Sequence, residues 1–219
     1  MSEPPVIDAG PAWARLAARG ETPSHAELAQ LLADPEFAAV PSEPGFELLE
    51  DGDRRFSFRL TPARMRAGTE GAIKTLIGGT VLAAASIGAG AATYSVSRDA
   101  ALLLRLSLLL VPLLAVGLVL LAEGLKSRTL VMAFEILPGG AGCRMDSVLG
   151  VKRVGFPNPP VKLQLRAVEA VYMDMTAGTE LVLRAPGEKP LAFGWLCNER
   201  TKMWMLAKMA AVLGPGALG

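Results

Sequence analysis

Histidine and cysteine are scarce in this chain of 219 residues, which contains one histidine, His25, and two cysteines, Cys143 and Cys197. A zinc site draws its ligands largely from these two residue types, and a disulfide framework needs several cysteines at close spacing. The two cysteines lie far apart in the sequence and form no CxxC pair. The sequence therefore predicts no metal site, and two isolated thiols fit a reducing compartment better than an oxidising one.

An excess of charge of either sign is also lacking, since the formal net charge is +1. Proteins that bind nucleic acids carry a basic face or stripe. The composition therefore excludes nucleic acid as an expected partner.

Catalytic motifs are missing as well, because no Walker loop, HExxH or GxSxG sequence occurs. A GxGxxG pattern occurs once, as GPGALG at residues 214–219. A dinucleotide-binding turn opens a helix, whereas this stretch follows a predicted helix, so we interpret the match as accidental. The sequence predicts no catalytic residue and no cofactor.

Two long apolar runs, at residues 75–97 and 100–122, are the dominant feature that is present. The first is uncharged over its 23 residues, and the second is interrupted only by Arg105. A helix rises about 1.5 Å per residue and a bilayer core is roughly 30 Å thick, so ~20 apolar residues span it. The two runs predict a transmembrane hairpin with its turn at Ser97-Arg98-Asp99.

Neither run contains an acidic, histidine, asparagine or glutamine side chain. Proton relays and ion pathways need such groups at depth in the membrane. The pair is therefore not expected to form a transporter or a channel by itself. We interpret Arg105, which lies near the start of the second run, as an interfacial anchor, with a contact to a substrate or a lipid headgroup as the alternative.

Small residues are concentrated in the first run, where Ala84, Gly88 and Ala92 are spaced four apart and share one helical face. Such a face allows another helix to approach closely. We therefore expect helix packing at Gly79, Ala84, Gly88 and Ala92. The simplest partner is the second run of the same chain, and a second copy of the chain or another membrane protein is the alternative.

Basic residues accumulate before the first run, whereas the turn between the runs has only Arg98, balanced by Asp99. Basic residues near spans are retained on the cytoplasmic side. The sequence therefore predicts a protein of the bacterial cytoplasmic (inner) membrane with both termini in the cytoplasm. The same residues could also attract anionic lipid headgroups. They are Arg54, Arg55, Arg59, Arg64, Arg66 and Lys74.

The regions outside the two runs differ in composition and in the secondary structure that they predict. Residues 1–45 contain seven prolines and are expected to be loosely organised, with a short turn at 12–19 and one helix at 23–33 capped by Thr22. Residues 46–61 predict a β-hairpin. Residues 129–213 predict a cytoplasmic β-rich domain closed by a helix at 198–213. Its expected strands are 129–137, 143–149, 161–166, 168–175, 179–185 and 190–193.

A two-stranded hairpin is too small to be stable alone, so residues 46–61 are expected to join the later strands. The transmembrane hairpin would then be an insertion within one β domain, and a hairpin that precedes the domain is the alternative. Short strands with one closing helix favour a small antiparallel sandwich or a partly open barrel. We expect Trp195 and Trp204 to fill its core, with a contact to a partner as the alternative.

The end of the domain carries a resemblance to a known family. The segments LVLRA (181–185), PGEK (186–189) and LAFG (191–194) lead into the helix that begins at Asn198. Together with a two-helix membrane hairpin and a β-rich cytoplasmic domain, this order resembles the bacterial pleckstrin-homology-like membrane proteins. The resemblance implies a seven-stranded bent sheet capped by a C-terminal helix and a membrane-associated adaptor role. It implies no functional residues.

These observations predict an α+β membrane protein with a two-helix transmembrane hairpin and a small antiparallel β domain. We expect it to be a non-enzymatic protein of the lipid bilayer whose cytoplasmic β domain binds or scaffolds at the membrane surface. An accessory subunit of a larger membrane complex is the first alternative. An enzyme acting on a membrane substrate is the second, for which the sequence shows no site.

Overall fold

The computed structural model of the chain describes residues 11–96, 100–156, 161–168 and 178–218, with the backbone only at 66–72, 100, 103, 168 and 178. The chain forms two compact units. The β-rich unit comprises Met1–Leu60, Met132–Arg144 and Arg153–Gly219, and the helical unit comprises Thr61–Val131 and Met145–Lys152.

The strands in the described part of the chain form two sheets. One has five strands in the order β1-β2-β3-β4-β5, and the other has three in the order β6-β7-β8. The strands are β1 (Phe46–Gly52), β2 (Arg55–Leu60), β3 (Val131–Leu137), β4 (Gly140–Ser147), β5 (Gly150–Phe156), β6 (Lys162–Val168), β7 (Gly178–Arg184) and β8 (Leu191–Phe193).

Two long helices lie in the sequence between two strands that pair directly with each other. Strand β2 is antiparallel to β3, with Phe58 opposite Phe134 and Leu60 opposite Met132. The chain between them forms a 3₁₀ turn at Pro62–Arg64, helix α4 (Arg66–Val96) and helix α5 (Ala100–Thr129). The two helices are therefore an insertion between neighbouring strands of one sheet.

Aromatic rings form the centre of the β-rich unit. Phe58 stacks on Phe134 across the β2–β3 pair at 4.8 Å between centroids, and Phe134 lies 4.4 Å from Phe193 of β8. Trp204 of the closing helix α6 (Glu199–Leu213) packs edge-on against Phe56 at 5.7 Å. The two sheets and α6 thus share one aromatic core.

The N-terminal region is more ordered than its proline content predicts. Residues 11–45 form α1 (Ala12–Ala18), α2 (His25–Ala33) and α3 (Pro35–Ala38), and the side chains of Leu28, Leu31 and Phe37 are buried. The indole nitrogen of Trp204 donates a hydrogen bond to the carbonyl of Ala38 at 3.1 Å. The helices cover α6, which is why this segment is part of the β-rich unit.

The cap of α2 corrects a sequence-based prediction. Ser24, and not Thr22, caps the helix, because Ser24 and Glu27 bond reciprocally in a capping box. The Thr22 hydroxyl instead accepts a hydrogen bond from the amide of Leu165 in β6 at 2.9 Å. The predicted cap of α6 is present, since Asn198 accepts a bond from the amide of Thr201.

Three further differences concern the bounds of elements. Both long helices extend beyond the apolar runs on the side that joins the strands, to Arg66 and to Thr129. Strand β5 follows β4 after a two-residue turn and was not among the predicted strands. The predicted strand at 168–175 lies outside the described residues from 169 onward, as do residues 1–10 and the turn at Ser97-Arg98-Asp99.

The two tryptophans near the end of the chain give a matched test of this core. Trp204 is fully buried, whereas Trp195 is 50% exposed. We expect Trp204→Ala to lower the free energy of unfolding by about 3–5 kcal/mol, because it leaves a cavity among Phe46, Phe56 and Ala38. Trp195→Ala should change it by less than about 0.5 kcal/mol. Denaturant unfolding of the full chain in detergent measures both, and equal effects would contradict the assigned core.

Candidate membrane interface

The helical unit contains two helices that are long and apolar enough to cross a membrane, Ile73–Val96 and Leu104–Thr129. Only 17% and 6% of their most apolar stretches are buried. A core helix of a soluble protein of this length would be buried on at least one broad face. Most of the leucine and valine side chains of α5 instead point outward, Leu108 with 73% of its surface exposed.

Glycines allow the backbones of the two helices to come close together. A Cβ atom on Gly79 would lie 2.7 Å from the amide nitrogen of Leu121, and one on Gly117 would lie 2.9 Å from the amide nitrogen of Ala83. A Cβ on Gly124 would lie 2.8 Å from Cγ of Leu76. We call Gly79, Gly117 and Gly124 the glycine seam, since any side chain there would force the helices apart.

Only one of the four residues predicted to pack against another helix lies in the glycine seam. Gly79 belongs to it, but Ala84, Gly88 and Ala92 are exposed, and a Cβ on Gly88 would meet nothing within 4 Å. The simplest interpretation, that these three residues pack on the second run, is therefore not what the structure shows. The helices meet where α5 supplies glycine, at Gly117 opposite Ala83 and at Gly124 opposite Leu76. The seven-residue spacing of those two glycines in a leucine-rich helix was the sequence signal that the prediction missed.

An open groove of about 580 Å³ lies between the two helices, in the half of α4 that ends at Val96. None of its lining residues is charged. The hydroxyls of Ser86 and Ser107 donate to the carbonyls of Leu82 and Leu104 within their own helices, at 2.8 and 2.7 Å. The groove is therefore lined by uncharged and mostly apolar side chains and can hold apolar atoms.

Three of the six predicted basic residues belong to the β-rich unit. Arg55 forms ion pairs with Glu50 at 3.2 Å and with Glu135 at 2.8 Å. Arg59 pairs with Glu47 at 2.9 Å. Arg54 is exposed in the turn between β1 and β2. Because two of the three charges are compensated by cross-strand glutamates, this group offers less to an anionic surface than its arginine count implies.

The other three basic residues belong to the helical unit. Arg64 is exposed in the 3₁₀ turn, and Lys74 is exposed in the first turn of the apolar part of α4. Arg66 begins α4, and its side chain is outside the described residues. At the corresponding end of α5, Lys126 pairs with Glu123 at 3.3 Å, and Arg128 is exposed. Basic residues thus accompany both helices at the ends that join the strands.

A buried polar cluster in the β-rich unit is the other place where chemistry could be sought. The ammonium group of Lys202 donates to the carbonyl of Thr179 at 2.8 Å and to Oε1 of Glu199 at 2.5 Å. The hydroxyl of Thr179 donates to Oε2 of Glu199 at 2.7 Å. The buried charge is therefore paired and hydrogen-bonded, an arrangement that holds α6 on β7.

Both cysteines are buried, and burial raises the pKa of each thiol to about 12. At neutral pH they are uncharged and act as small apolar side chains. Within the described ranges, no three histidine, cysteine, aspartate or glutamate side chains cluster in a way that could hold a metal ion.

Comparisons with known proteins do not assign the chain to a family. No family model matches it, and no curated protein or solved structure is significantly similar to it.

Two glycine variants test the seam against the exposed face. We expect Gly79→Ala to destabilise the helix pair by about 1–3 kcal/mol, because the new methyl group would meet the backbone of α5. Gly88→Ala should be neutral or stabilising by up to about 1 kcal/mol, since it enters open space and alanine favours a helix. SDS-induced unfolding in mixed micelles measures both. A larger loss for Gly88→Ala than for Gly79→Ala would show that the seam has been misplaced.

Proposed function

We propose that this chain is an integral protein of the bacterial cytoplasmic membrane in which α4 and α5 form a transmembrane hairpin. Its β-rich unit is a non-enzymatic binding or scaffolding module at the cytoplasmic surface, of the pleckstrin-homology-like kind. The observation that carries the proposal is the exposure of the apolar residues of α4 and α5. Exposing so large an apolar surface to water would cost free energy, whereas lipid tails accommodate it.

The distribution of charge supports the proposed orientation. Arg64, Lys74, Lys126 and Arg128 accompany the strand-proximal ends of the two helices. Basic residues next to spans are retained in the cytoplasm, and anionic lipids of the cytoplasmic leaflet attract them by about 1 kcal/mol each. Because β2 and β3 adjoin these same helix ends in the chain, the β-rich unit would be cytoplasmic. Its two reduced thiols are compatible with that compartment.

A binding role is favoured over catalysis because the ammonium of Lys202 is engaged with Thr179 and Glu199. The ammonium of Lys202, Thr179 and Glu199 are hydrogen-bonded to one another. These groups therefore serve the packing of α6 on β7 and are not presented to a substrate. The surface of the unit offers instead exposed side chains such as Arg54 and Trp195. Exposed arginine and tryptophan are the residue types that most often contribute strongly to protein interfaces.

Labelling of introduced cysteines tests the topology. We expect Ser97→Cys, in the turn between the runs, to react with a membrane-impermeant maleimide in intact cells. Asp53→Cys, in the exposed β1–β2 turn, should react only after permeabilisation.

The unsubstituted chain is the control. Raising a thiol pKa from 9.0 to about 12 lowers its thiolate fraction about 1,000-fold at neutral pH, so Cys143 and Cys197 should remain unlabelled. Labelling at residue 53 in intact cells would refute the orientation.

An accessory subunit of a larger membrane complex is a second candidate function. The observation that favours it is the open space beside Gly88, on the exposed face that also contains Ala84 and Ala92. Small residues on a lipid-facing surface permit a further helix to pack closely. The partner would be another membrane protein or a second copy of this chain.

Gentle detergent extraction followed by crosslinking and mass spectrometry distinguishes the two candidates. A partner held by the exposed face should be lost from the double variant Ala84→Leu, Gly88→Leu, because two leucines would fill the space that its helix needs. A partner held by the β-rich unit should be retained. Trp195→Ala, on the surface of the β-rich unit, is the complementary variant. Retention of a stoichiometric partner in the leucine variant would reject the accessory-subunit candidate in this form.

A further inference from the structure

The turn between β4 and β5 is apolar, unlike the other two-residue turns of the described five-stranded sheet. The turn at residues 53–54 is Asp-Arg and that at 138–139 is Pro-Gly, whereas the turn at 148–149 is Val-Leu. Turns favour glycine, proline, asparagine, aspartate and serine, because these residues fit the backbone angles or form local hydrogen bonds. Valine and leucine offer neither advantage, so their presence indicates a different requirement.

The apolar side chains of this turn are exposed. Val148, Leu149 and Val151 have 61%, 59% and 59% of their surfaces accessible. We call these three residues the apolar tip. An isolated exposed leucine needs no explanation, but three exposed aliphatic side chains lie here within four residues of the chain.

The apolar tip is attached to the end of α5. The amide of Val148 donates a hydrogen bond to the hydroxyl oxygen of Thr129, the last residue of α5, at 3.0 Å. The same hydroxyl donates to the carbonyl of Leu125 at 2.8 Å. Residues 145–152 accordingly belong to the same compact unit as the two long helices. The position of the tip along the axis of α5 is therefore determined by its attachment to the last residue of that helix.

The helix places this attachment at the level of lipid headgroups. Leu125 is the last apolar side chain of α5 before Lys126, and Thr129 lies four residues further, a rise of about 6 Å. The headgroup layer on each side of the hydrocarbon core is roughly 5–8 Å thick. A turn held beside Thr129 would therefore meet the boundary between headgroups and acyl chains before it met bulk water.

Basic residues next to the apolar tip match such a surface. Arg128 precedes Thr129, to which the tip is hydrogen-bonded, and Lys152 follows Val151; both are exposed. Basic side chains next to an apolar insertion can bind anionic headgroups while the aliphatic groups enter the layer below. A protein partner would have to displace the lipids that already surround the adjoining helix, so the bilayer is the occupant that the geometry favours.

We propose that Val148, Leu149 and Val151 insert into the headgroup–acyl boundary and anchor the β4–β5 turn to the bilayer beside the end of α5. The inference rests on the proposed function, since it requires α5 to span the membrane. The anchor would give the β4–β5 turn a membrane contact additional to the two helices.

Depth measurements with nitroxide labels test this anchor. Leu149→Cys is labelled in the full chain, reconstituted in vesicles of phosphatidylcholine and phosphatidylglycerol, and Val148→Cys provides a second position in the same turn. Val119→Cys, on the exposed apolar surface of α5, reports the hydrocarbon core. Leu49→Cys, a 47% exposed leucine of β1, reports an apolar position to which the inference assigns no lipid contact. The native cysteines are buried and should remain unlabelled.

The ratio of collisions with oxygen to collisions with a water-soluble nickel complex increases with depth in the bilayer. We expect this ratio to be severalfold higher at residues 148 and 149 than at residue 49, and highest at residue 119. A lipid-like value at 119 with equal values at 149 and 49 would overturn the anchor and leave the transmembrane hairpin intact. A water-like value at 119 would overturn the proposed function and the anchor together.

Discussion

The pairing of β2 with β3 is the constraint from which the rest of the architecture follows. Leu60 lies opposite Met132, so the chain that leaves β2 must return within one strand spacing, about 5 Å. An insertion with its ends held so close must run out and back, and two antiparallel helices of similar length achieve this. Helices α4 and α5, of 31 and 30 residues, are matched in this way. The strand pairing thus accounts for the hairpin, and the cross-strand stack of Phe58 on Phe134 stabilises the pairing.

The two units satisfy different physical requirements with different residues. The β-rich unit buries aromatic rings and pairs its one buried lysine, Lys202, with Thr179 and Glu199. The helical unit has its leucines and valines exposed and uses glycine where the two backbones meet. Burying large side chains against each other stabilises a fold in water, but lipid tails are as apolar as leucine and provide no such drive. In the proposed membrane location, close backbone contact at Gly79 and Gly117 would instead hold the helices together.

How far the sequence predicts each part depends on the range of the interactions involved. The two apolar runs, the β-hairpin at the start of the sheet and the Asn198 cap are local patterns, and the structure has all three. The cap of α2 was missed because Thr22 and Ser24 are both suitable residues, and only the tertiary structure shows that the Thr22 hydroxyl accepts a hydrogen bond from the amide of Leu165 instead. Strand β5 was missed because its turn lacks the usual turn residues. The observed packing face of α4, which contains Gly79 and Ala83, is rotated by about one residue from the predicted face at Ala84, Gly88 and Ala92. This contact depends on where α5 has glycine, which the sequence of α4 does not reveal.

The sequence by itself determined the character of this protein: two helices suited to a membrane, a β-rich remainder closed by a helix, and a scarcity of histidine and cysteine. These properties depend on composition and periodicity, which are readable one segment at a time. The tertiary structure decided which residues meet. It separated Arg55 and Arg59, paired with glutamates, from Arg64 and Lys74 beside the helices. It also brought Val148 to Thr129, nineteen residues away. Such pairings depend on long-range register, which a single sequence does not encode in any local pattern.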